Sequence, residues 1–253
     1  MKYVTRQSSS HSIIIYYNIL YYTIMIKDKL VKQTVYLSLL IQLVTTAISL
    51  NGLTYSLRPE DMILKDILIL EAIVQFVEAG FYIWVIMALN RLEIMTPRRY
   101  IDWFITTPTM LVSTIIFMEY KKQKEKGRSF TFDEFLTTHK DNIIKIVTLN
   151  GLMLLFGYLG EINVLETKTA VAIGSFFFIL TFRLIYEDYA KYTTLGKNLF
   201  YFLTIVWALY AVAACLNLHY KNTMYNLLDI VSKNFYGLFI YLYIHDVNAS
   251  YTR

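Results

Sequence analysis

The chain has 253 residues, of which 56% are hydrophobic, 16% aromatic and only 17% charged, with a formal net charge of +5. Its mean hydropathy is +0.44. This composition excludes an ordinary soluble domain and is typical of an integral, multi-pass membrane protein. The modest positive charge fits membrane topology and attraction to anionic lipid, and no motif indicates a nucleic-acid partner.

Seven apolar segments are long enough for helices that cross a bilayer, which need about 20 residues each. They cover approximately residues 34–57, 66–90, 99–118, 142–161, 168–186, 198–217 and 226–245. Because the connections are short, the sequence predicts an all-α bundle of seven transmembrane helices. We expect one membrane domain over residues 34–246 and a tail over residues 247–253.

Residues 1–33 precede the first predicted crossing. Their apolar part, residues 12–26, is short for a span and is followed by Lys27 and Lys29. We therefore expect an N-terminal extension that lies on the membrane surface. A cleaved signal peptide is less favoured because no small-residue cleavage site follows, and Met25 as an alternative start stays open.

The second predicted crossing contains two acids, Glu71 and Glu78, two helical turns apart on one face. Acidic side chains inside a membrane face protein or water rather than lipid. Two interpretations follow. The pair lines a path for cations, which acidic groups attract, or the two acids are protonated and hydrogen-bonded between helices.

The third predicted crossing carries a polar stripe of Arg99, Asp102, Thr106 and Ser113 near one helical face. Arg99 precedes Asp102 by about one turn, so we expect the guanidinium to keep this carboxylate ionised. Thr106 offers a hydroxyl one turn further into the membrane. Asp102 is thus a candidate proton acceptor; the alternative is that Arg99 extends to the membrane surface and merely pairs with Asp102.

The densest basic cluster is KKQKEKGR, residues 121–128. Connections on the cytoplasmic side of a membrane carry an excess of Lys and Arg. The sequence therefore predicts that this loop is cytoplasmic, that the N-terminus lies outside and that the C-terminus, after seven crossings, is cytoplasmic.

The single cysteine, Cys215, lies in an apolar segment and has no partner for an internal disulfide. We expect a core residue without a redox role. We likewise expect neither a metal site nor enzymatic turnover.

The last predicted crossing contains Lys233, with Asp229 one turn earlier on the same face. A lysine near the middle of a spanning helix costs about 2.5–3.5 kcal/mol, so it indicates a functional site. Such a lysine condenses readily with carbonyl compounds, and a nearby carboxylate neutralises the resulting cation. A plain ion pair that ties helices together is the alternative. We expect Asp102 and Asp229 to lie at one depth, two acids against one cation.

Three segments carry a family resemblance: DIVSKN around Lys233, RYIDWFITTP around Asp102, and WALY at residues 207–210. The chain resembles the microbial rhodopsins, seven-helix proteins that bind retinal through a lysine of the last helix. The resemblance implies all-trans retinal bound covalently to Lys233 as a protonated Schiff base. It further implies Asp102 as primary counterion and proton acceptor, Asp229 as second counterion, and Arg99 as the gate on the extracellular side.

The resemblance also implies the side chains that surround retinal. They are Trp103, Trp207, Tyr210, Met153, Gly157 and, beside Asp229, Tyr82.

The chain departs from the outward proton pumps of that family at two positions. Ser113 stands where the pumps carry a carboxylate that donates protons, and Lys221 stands where they commonly carry a release acid. The set Asp102, Thr106 and Ser113 instead resembles a D-T-S group of viral rhodopsins. Glu71 is then the candidate substitute donor.

The resemblance favours an outward light-driven proton pump that uses Asp102 as acceptor. The alternative is a light-gated cation channel through Glu71 and Glu78, and a sensory photoreceptor ranks third because no signalling domain is attached. The partners implied are the lipid bilayer, protons or small cations, and further copies of the chain in a trimer or pentamer.

Overall fold

The computed structural model describes residues 4–87, 89 and 91–251, with side chains from residue 25 onward. This part of the chain is helical and contains no strand. Its helices are α1 (Val4–Gly52), α2 (Ile63–Ile86), α3 (Leu92–Lys124), α4 (Phe132–Thr138), α5 (Lys140–Glu161), α6 (Thr167–Asp188), α7 (Thr194–Ala214), α8 (Leu218–Asp229) and α9 (Phe235–Ser250). Short 3₁₀ turns cover Pro59–Asp61 and Ala190–Tyr192.

Seven stretches of these helices are long and apolar enough to cross a membrane, which confirms the predicted seven-helix bundle. They are Met25–Gly52, Pro59–Ile86, Leu92–Lys124, Lys140–Glu161, Thr167–Tyr192, Thr194–Ala214 and Leu218–Ser250. The chain is therefore an integral, multi-pass membrane protein.

The first crossing begins and ends earlier than the predicted residues 34–57. Helix α1 runs without a break from Val4 to Gly52, because its lysines favour helix and do not interrupt it. It ends at Gly52, where a Cβ atom would lie 2.7 Å from Leu68 Cδ2 and 2.8 Å from Tyr241 Cδ2. The predicted surface position of residues 1–33 depends largely on side chains outside the described residues and stays a prediction.

Helix α3 is longer than the predicted crossing at residues 99–118. Its last turn contains Lys121, Lys122 and Lys124. Cations at this end are stabilised by the negative end of the helix dipole, so the helix continues into the basic segment. The end of the bundle that holds residues 121–128 is called the basic end below, and the opposite end is called the Arg99 end.

The last crossing is interrupted by one turn of π-helix, Ile230–Asn234, between α8 and α9. A π turn widens the backbone by one residue and changes the directions of the side chains around it. Lys233 lies within this turn. The crossing as a whole covers Leu218–Ser250, well beyond the predicted residues 226–245.

The prediction that Cys215 is a core residue is wrong. Cys215 is exposed, because α7 ends at Ala214 and Cys215 forms its C-terminal cap.

Candidate functional site

Lys233 lies in the middle of the bundle and contacts three carboxylates. Its Nζ atom is 2.6 Å from Asp102 Oδ2, 3.1 Å from Glu78 Oε1 and 3.8 Å from Asp229 Oδ1. The four side chains are at most 2% exposed. Opposite charges at these distances, away from water, stabilise one another strongly.

The predicted pair of acids around Lys233 is therefore a group of three. Glu78 was expected to line a cation path, and it reaches the lysine as well. The sequence did hold one indication of this contact, because Glu78 lies near the middle of its predicted crossing and so at a depth similar to that of Lys233. The sequence could not show which helix faces Lys233, because that depends on how α2 rotates against α9.

Arg99 forms its salt bridge with Asp229 and not with Asp102, so any effect of Arg99 on Asp102 acts without direct contact. The Arg99 Nη1 atom donates to Asp229 Oδ2 at 2.9 Å, and both side chains are fully buried. Its Nη2 atom donates to Asn226 Oδ1. Spacing along α3 alone favoured Asp102, but the Arg99 side chain extends across to the neighbouring helix α8.

Asp229 is held by two further donors. The hydroxyls of Tyr82 and Tyr210 each donate to it at 2.8 Å, one to each carboxylate oxygen. Together with Arg99 they supply three hydrogen bonds, which favour the ionised carboxylate. Tyr82 thus lies beside Asp229, as the resemblance implied.

Thr106 is oriented by its own helix. Its hydroxyl donates to the Asp102 backbone carbonyl at 3.0 Å. Ser113 lies two turns further on, where its hydroxyl donates to Glu71 Oε1 as well as to the Met110 carbonyl. The structure therefore brings Ser113 and Glu71 together, away from the Lys233 cluster.

A cavity of about 380 Å³ opens beside Lys233. It lies between α3, α5, α6, α7 and α8, and its walls are mainly apolar. Five of the predicted pocket residues line it with Lys233: Trp103, Met153, Gly157, Trp207 and Tyr210. The rings of Trp103 and Tyr210 meet edge to face at 5.5 Å. A cavity of this size, with one buried amine, suits a small apolar ligand.

A sequence profile of the bacteriorhodopsin-like protein family matches residues 33–247. The chain belongs to this family. The family binds retinal and carries out light-driven ion transport. No curated protein matches the chain in sequence.

Solved structures of microbial rhodopsins share the fold. The viral rhodopsin OLPVRII is 26% identical, with a TM-score of 0.75 over 86% of this chain and 99% of that one. The rhodopsin of Exiguobacterium sibiricum is 22% identical, with a TM-score of 0.66 over 87% and 98%. Xanthorhodopsin, described as a light-driven ion pump with a dual chromophore, is 16% identical, with a TM-score of 0.69 over 89% and 96%.

The cavity of this family member fits retinal. Its apolar walls would hold the polyene and ring, and its one amine, Lys233, lies where an aldehyde can reach it. Close packing requires glycine at residue 157, because a Cβ atom there would lie 2.7 Å from Tyr100 Oη. Asp102 Oδ1 has no hydrogen-bond partner among the described residues, so this oxygen is free to accept a further donor.

Most of a second set of buried polar side chains was missed by the sequence interpretation, which named Glu71 and Glu78 among them. It lies between α1, α2 and the last crossing, which consists of α8, the π turn and α9, and it is called the polar row. Its members are Ser38, Gln42, Thr45, Ser49, Glu71, Gln75, Glu78, Asn226 and Asn234. The α1 members recur at intervals of three or four residues, a helical period that was the available signal. Serine, threonine and glutamine are common enough in membrane helices that this period did not stand out.

Hydrogen bonds connect the polar row from helix to helix. Gln42 Nε2 donates to Glu78 Oε2, Thr45 donates to Asn234 Oδ1, and Ser49 donates to Gln75 Oε1 at 3.0 Å. Four members nevertheless keep a buried polar atom without a partner in the described part of the chain. These atoms are Gln42 Oε1, Glu71 Oε2, Gln75 Nε2 and Asn234 Nδ2. Glu78 Oε1 has only its ion pair with Lys233.

At the Arg99 end, Lys221 does not stand alone. Its Nζ atom is 3.0 Å from Glu161 Oε2, and the two side chains are 13% and 11% exposed. The position where pumps commonly carry a release acid is therefore occupied by one half of a mostly buried ion pair.

Proposed function

We propose that this chain is a light-gated cation channel in which retinal is bound covalently to Lys233 as a protonated Schiff base. The observation that carries the proposal is the polar row, with four buried atoms that have no partner among the described residues. Buried polar groups of this kind are normally satisfied by water or an ion. A hydrated row between helices is what passive movement of a cation through a bilayer needs.

Two acids give the polar row its expected selectivity. Glu71 and Glu78 are both fully buried and are separated by two turns of α2, about 10 Å along the helix axis. Carboxyl oxygens at successive depths offer a cation ligands in place of water and offer an anion none. The proposal therefore assigns cation passage to the α1–α2–α9 side of the bundle, beside the retinal cavity and not through it.

Glu78 connects the light-sensitive site to the path. It contacts Lys233 on one side and Gln42 of α1 on the other, so it bridges the polar row at the depth of the lysine. When bound, retinal supplies the absorption of light and an isomerisation that displaces the nitrogen of Lys233. Displacement of this nitrogen releases Glu78, and the row can then open at the contact between Glu78 and Gln42.

The carboxylates around Lys233 are the candidate acceptors for the proton on its nitrogen. Asp102 Oδ2, at 2.6 Å, is the nearest acceptor and is proposed to take the proton from the Lys233 nitrogen. Asp229 is proposed to stay ionised as second counterion, because Arg99 and two tyrosines hold it in that form.

Photocurrent measured against voltage, in a membrane supplied with retinal, tests this proposal. A channel gives a current that reverses near the equilibrium potential of the permeant cation and shifts when that cation is replaced. Lys233→Ala is the control and abolishes the current. A current that keeps one sign across all voltages contradicts the channel.

The outward proton pump is the second candidate function. Two observations favour it: the direct contact of Lys233 with Asp102, and the hydrogen bond of Glu71 to Ser113, which holds a carboxyl group on the basic-end side. In a pump, Glu71 returns a proton to the Lys233 nitrogen. Glu71→Gln then slows that step in the photocycle and leaves the initial loss of the proton unchanged.

We further propose the orientation and assembly that the sequence predicts. The basic segment over residues 121–128 supports a cytoplasmic basic end and an external N-terminus. The resemblance to microbial rhodopsins supports a trimer or pentamer. Protease access from one side of sealed vesicles tests the first statement, and the mass of the solubilised assembly tests the second.

A further inference from the structure

The retinal cavity is separated from lipid by a thin wall between α6 and α7. Two residues of this wall, Ile179 on α6 and Ala208 on α7, line the cavity and are also exposed on the outside of the bundle. Ile179 is 61% exposed. A residue that meets both the cavity and the lipid marks a place where the wall is one side chain thick.

The two halves of the α6–α7 seam differ in residue size. Toward the basic end, aromatic rings close the seam: Phe182 lies 5.7 Å from Trp207, and Tyr186 lies 5.1 Å from Phe200. Toward the Arg99 end, the seam residues that line the cavity are small. They are Ser175 on α6 and Ala208, Ala211 and Ala214 on α7.

Among the residues that the structure describes, the two ends of the bundle offer no comparable opening to an apolar molecule. On the Arg99 side the way to Lys233 is closed by the buried pair of Arg99 and Asp229. On the other side it passes Glu71 and Ser113, which are also fully buried. An apolar ligand on either path would displace paired or hydrogen-bonded groups, which is costly inside a membrane.

We propose that retinal reaches Lys233 from the bilayer, sideways through the α6–α7 seam between Ile179 and Ala208. Retinal is an apolar aldehyde that dissolves in lipid, so it meets this wall directly. Because the neighbouring residues are small, the seam can part when the Ile179 side chain moves, and the aromatic half holds the two helices together. The inference rests on the proposed attachment of retinal to Lys233.

The test is the rate at which the visible absorption band forms after all-trans retinal is added to the retinal-free protein in lipid vesicles. Ala208→Trp places a large ring at the proposed opening. We expect band formation to slow by roughly tenfold or more, which corresponds to a barrier about 1.4 kcal/mol higher. The final amplitude and wavelength should stay close to those of the unmodified protein, because Ala208 lies at the edge of the cavity.

Val212→Trp is the matched control. Val212 lies one turn along α7 from Ala208, is 60% exposed to the lipid side and does not line the cavity. Its substitution adds the same bulk to the same helix without covering the opening, so band formation should keep its rate.

A second variant tests the same opening in the other direction. Ile179→Ala removes the larger side chain of the opening and should speed band formation severalfold. This rate tests lateral entry even if Ala208→Trp does not fold. If Ala208→Trp folds and forms the band at the unmodified rate, lateral entry is overturned. If Ala208→Trp is not recovered, an unchanged rate in Ile179→Ala overturns it. Absence of any band in the unmodified protein, or a band that persists in Lys233→Ala, contradicts the proposed attachment instead.

Discussion

The substitution Glu78→Gln tests how charge is distributed around Lys233. Three carboxylates and two cations, Arg99 and Lys233, lie in a region from which water is almost excluded. If all five were ionised the cluster would carry one unbalanced negative charge, which is costly in such an environment. One carboxyl group should therefore hold a proton.

Hydrogen bonding identifies Glu78 as the protonated member. Asp229 accepts from three donors, and Asp102 accepts from Lys233 at 2.6 Å, so both are stabilised as carboxylates. Glu78 accepts a hydrogen bond from Gln42, and its contact with Lys233, at 3.1 Å, is longer than that of Asp102. The amide of Gln42 can turn over and present its oxygen, which has no partner, to a proton on Glu78.

The two protonation states of Glu78 predict different results for the variant. An ionised Glu78 at 3.1 Å would stabilise the positive Lys233 nitrogen by about 5 kcal/mol at an effective dielectric constant of about 20. Its loss would move the alkaline midpoint at which the visible band disappears by about 4 pH units, at about 1.4 kcal/mol per unit. A protonated Glu78 is neutral, as glutamine is, so we expect a shift below about 1 unit.

The assay is a pH titration of the visible band in the retinal-bound protein. Asp102→Asn is the comparison, since the same arithmetic at 2.6 Å gives about 6 kcal/mol for an ionised partner. A shift of several units in Glu78→Gln, similar to that of Asp102→Asn, would refute a protonated Glu78. It would then indicate that the cluster carries a net negative charge.

Three further predictions concern other parts of the bundle. Asp102→Asn should move the absorption band to longer wavelength and abolish proton transfer from the Lys233 nitrogen; an unchanged spectrum would exclude Asp102 as primary counterion. Gly237→Ala should reduce photocurrent severalfold with little change in absorption, because its Cβ atom would overlap the Gln75 amide in the polar row, whereas Gly80→Ala, with nothing within 4 Å, should leave the current unchanged. Burial lowers the pKa of His139, so its contribution to stability is present above its unfolded pKa of roughly 6.5 and is lost as pH falls through the folded value. The thermal unfolding temperature of His139→Asn should therefore lose this dependence on pH. Equal slopes of unfolding temperature against pH in the variant and the unmodified protein would contradict the prediction.

The sequence was sufficient for the fold because lipid leaves few alternatives. Apolar length alone identifies crossing helices, and the seven predicted segments all appear. Helix ends were less predictable. Lysines near the start of the first crossing and in the last turn of α3 lower the hydropathy without interrupting the helix. The two crossings therefore begin or end in segments that the sequence assigned to an extension and a loop.

The site was predictable where one residue type has few uses in lipid. A buried lysine and the acids near it indicate chemistry by their cost alone, which identified Lys233, Asp102 and Asp229. Partner choice was not predictable in the same way. Arg99 lies one turn from Asp102 along α3 and yet pairs with Asp229, because pairing depends on the rotation of each helix and on the π turn that follows Asp229.

The π turn also bears on the two proposed roles of the site, light capture and ion passage. Lys233 and Asn234 are consecutive, but Lys233 lines the retinal cavity while Asn234 accepts a hydrogen bond from Thr45 in the polar row. In a regular helix, the directions of neighbouring side chains differ by about 100°. The π turn changes the directions of the Lys233 and Asn234 side chains relative to α1 and α2. Any displacement of the Lys233 nitrogen therefore acts on the backbone that positions Asn234. Coupling between the cavity and the row needs no long path, because the two compartments meet at one peptide bond and at the contact between Lys233 and Glu78.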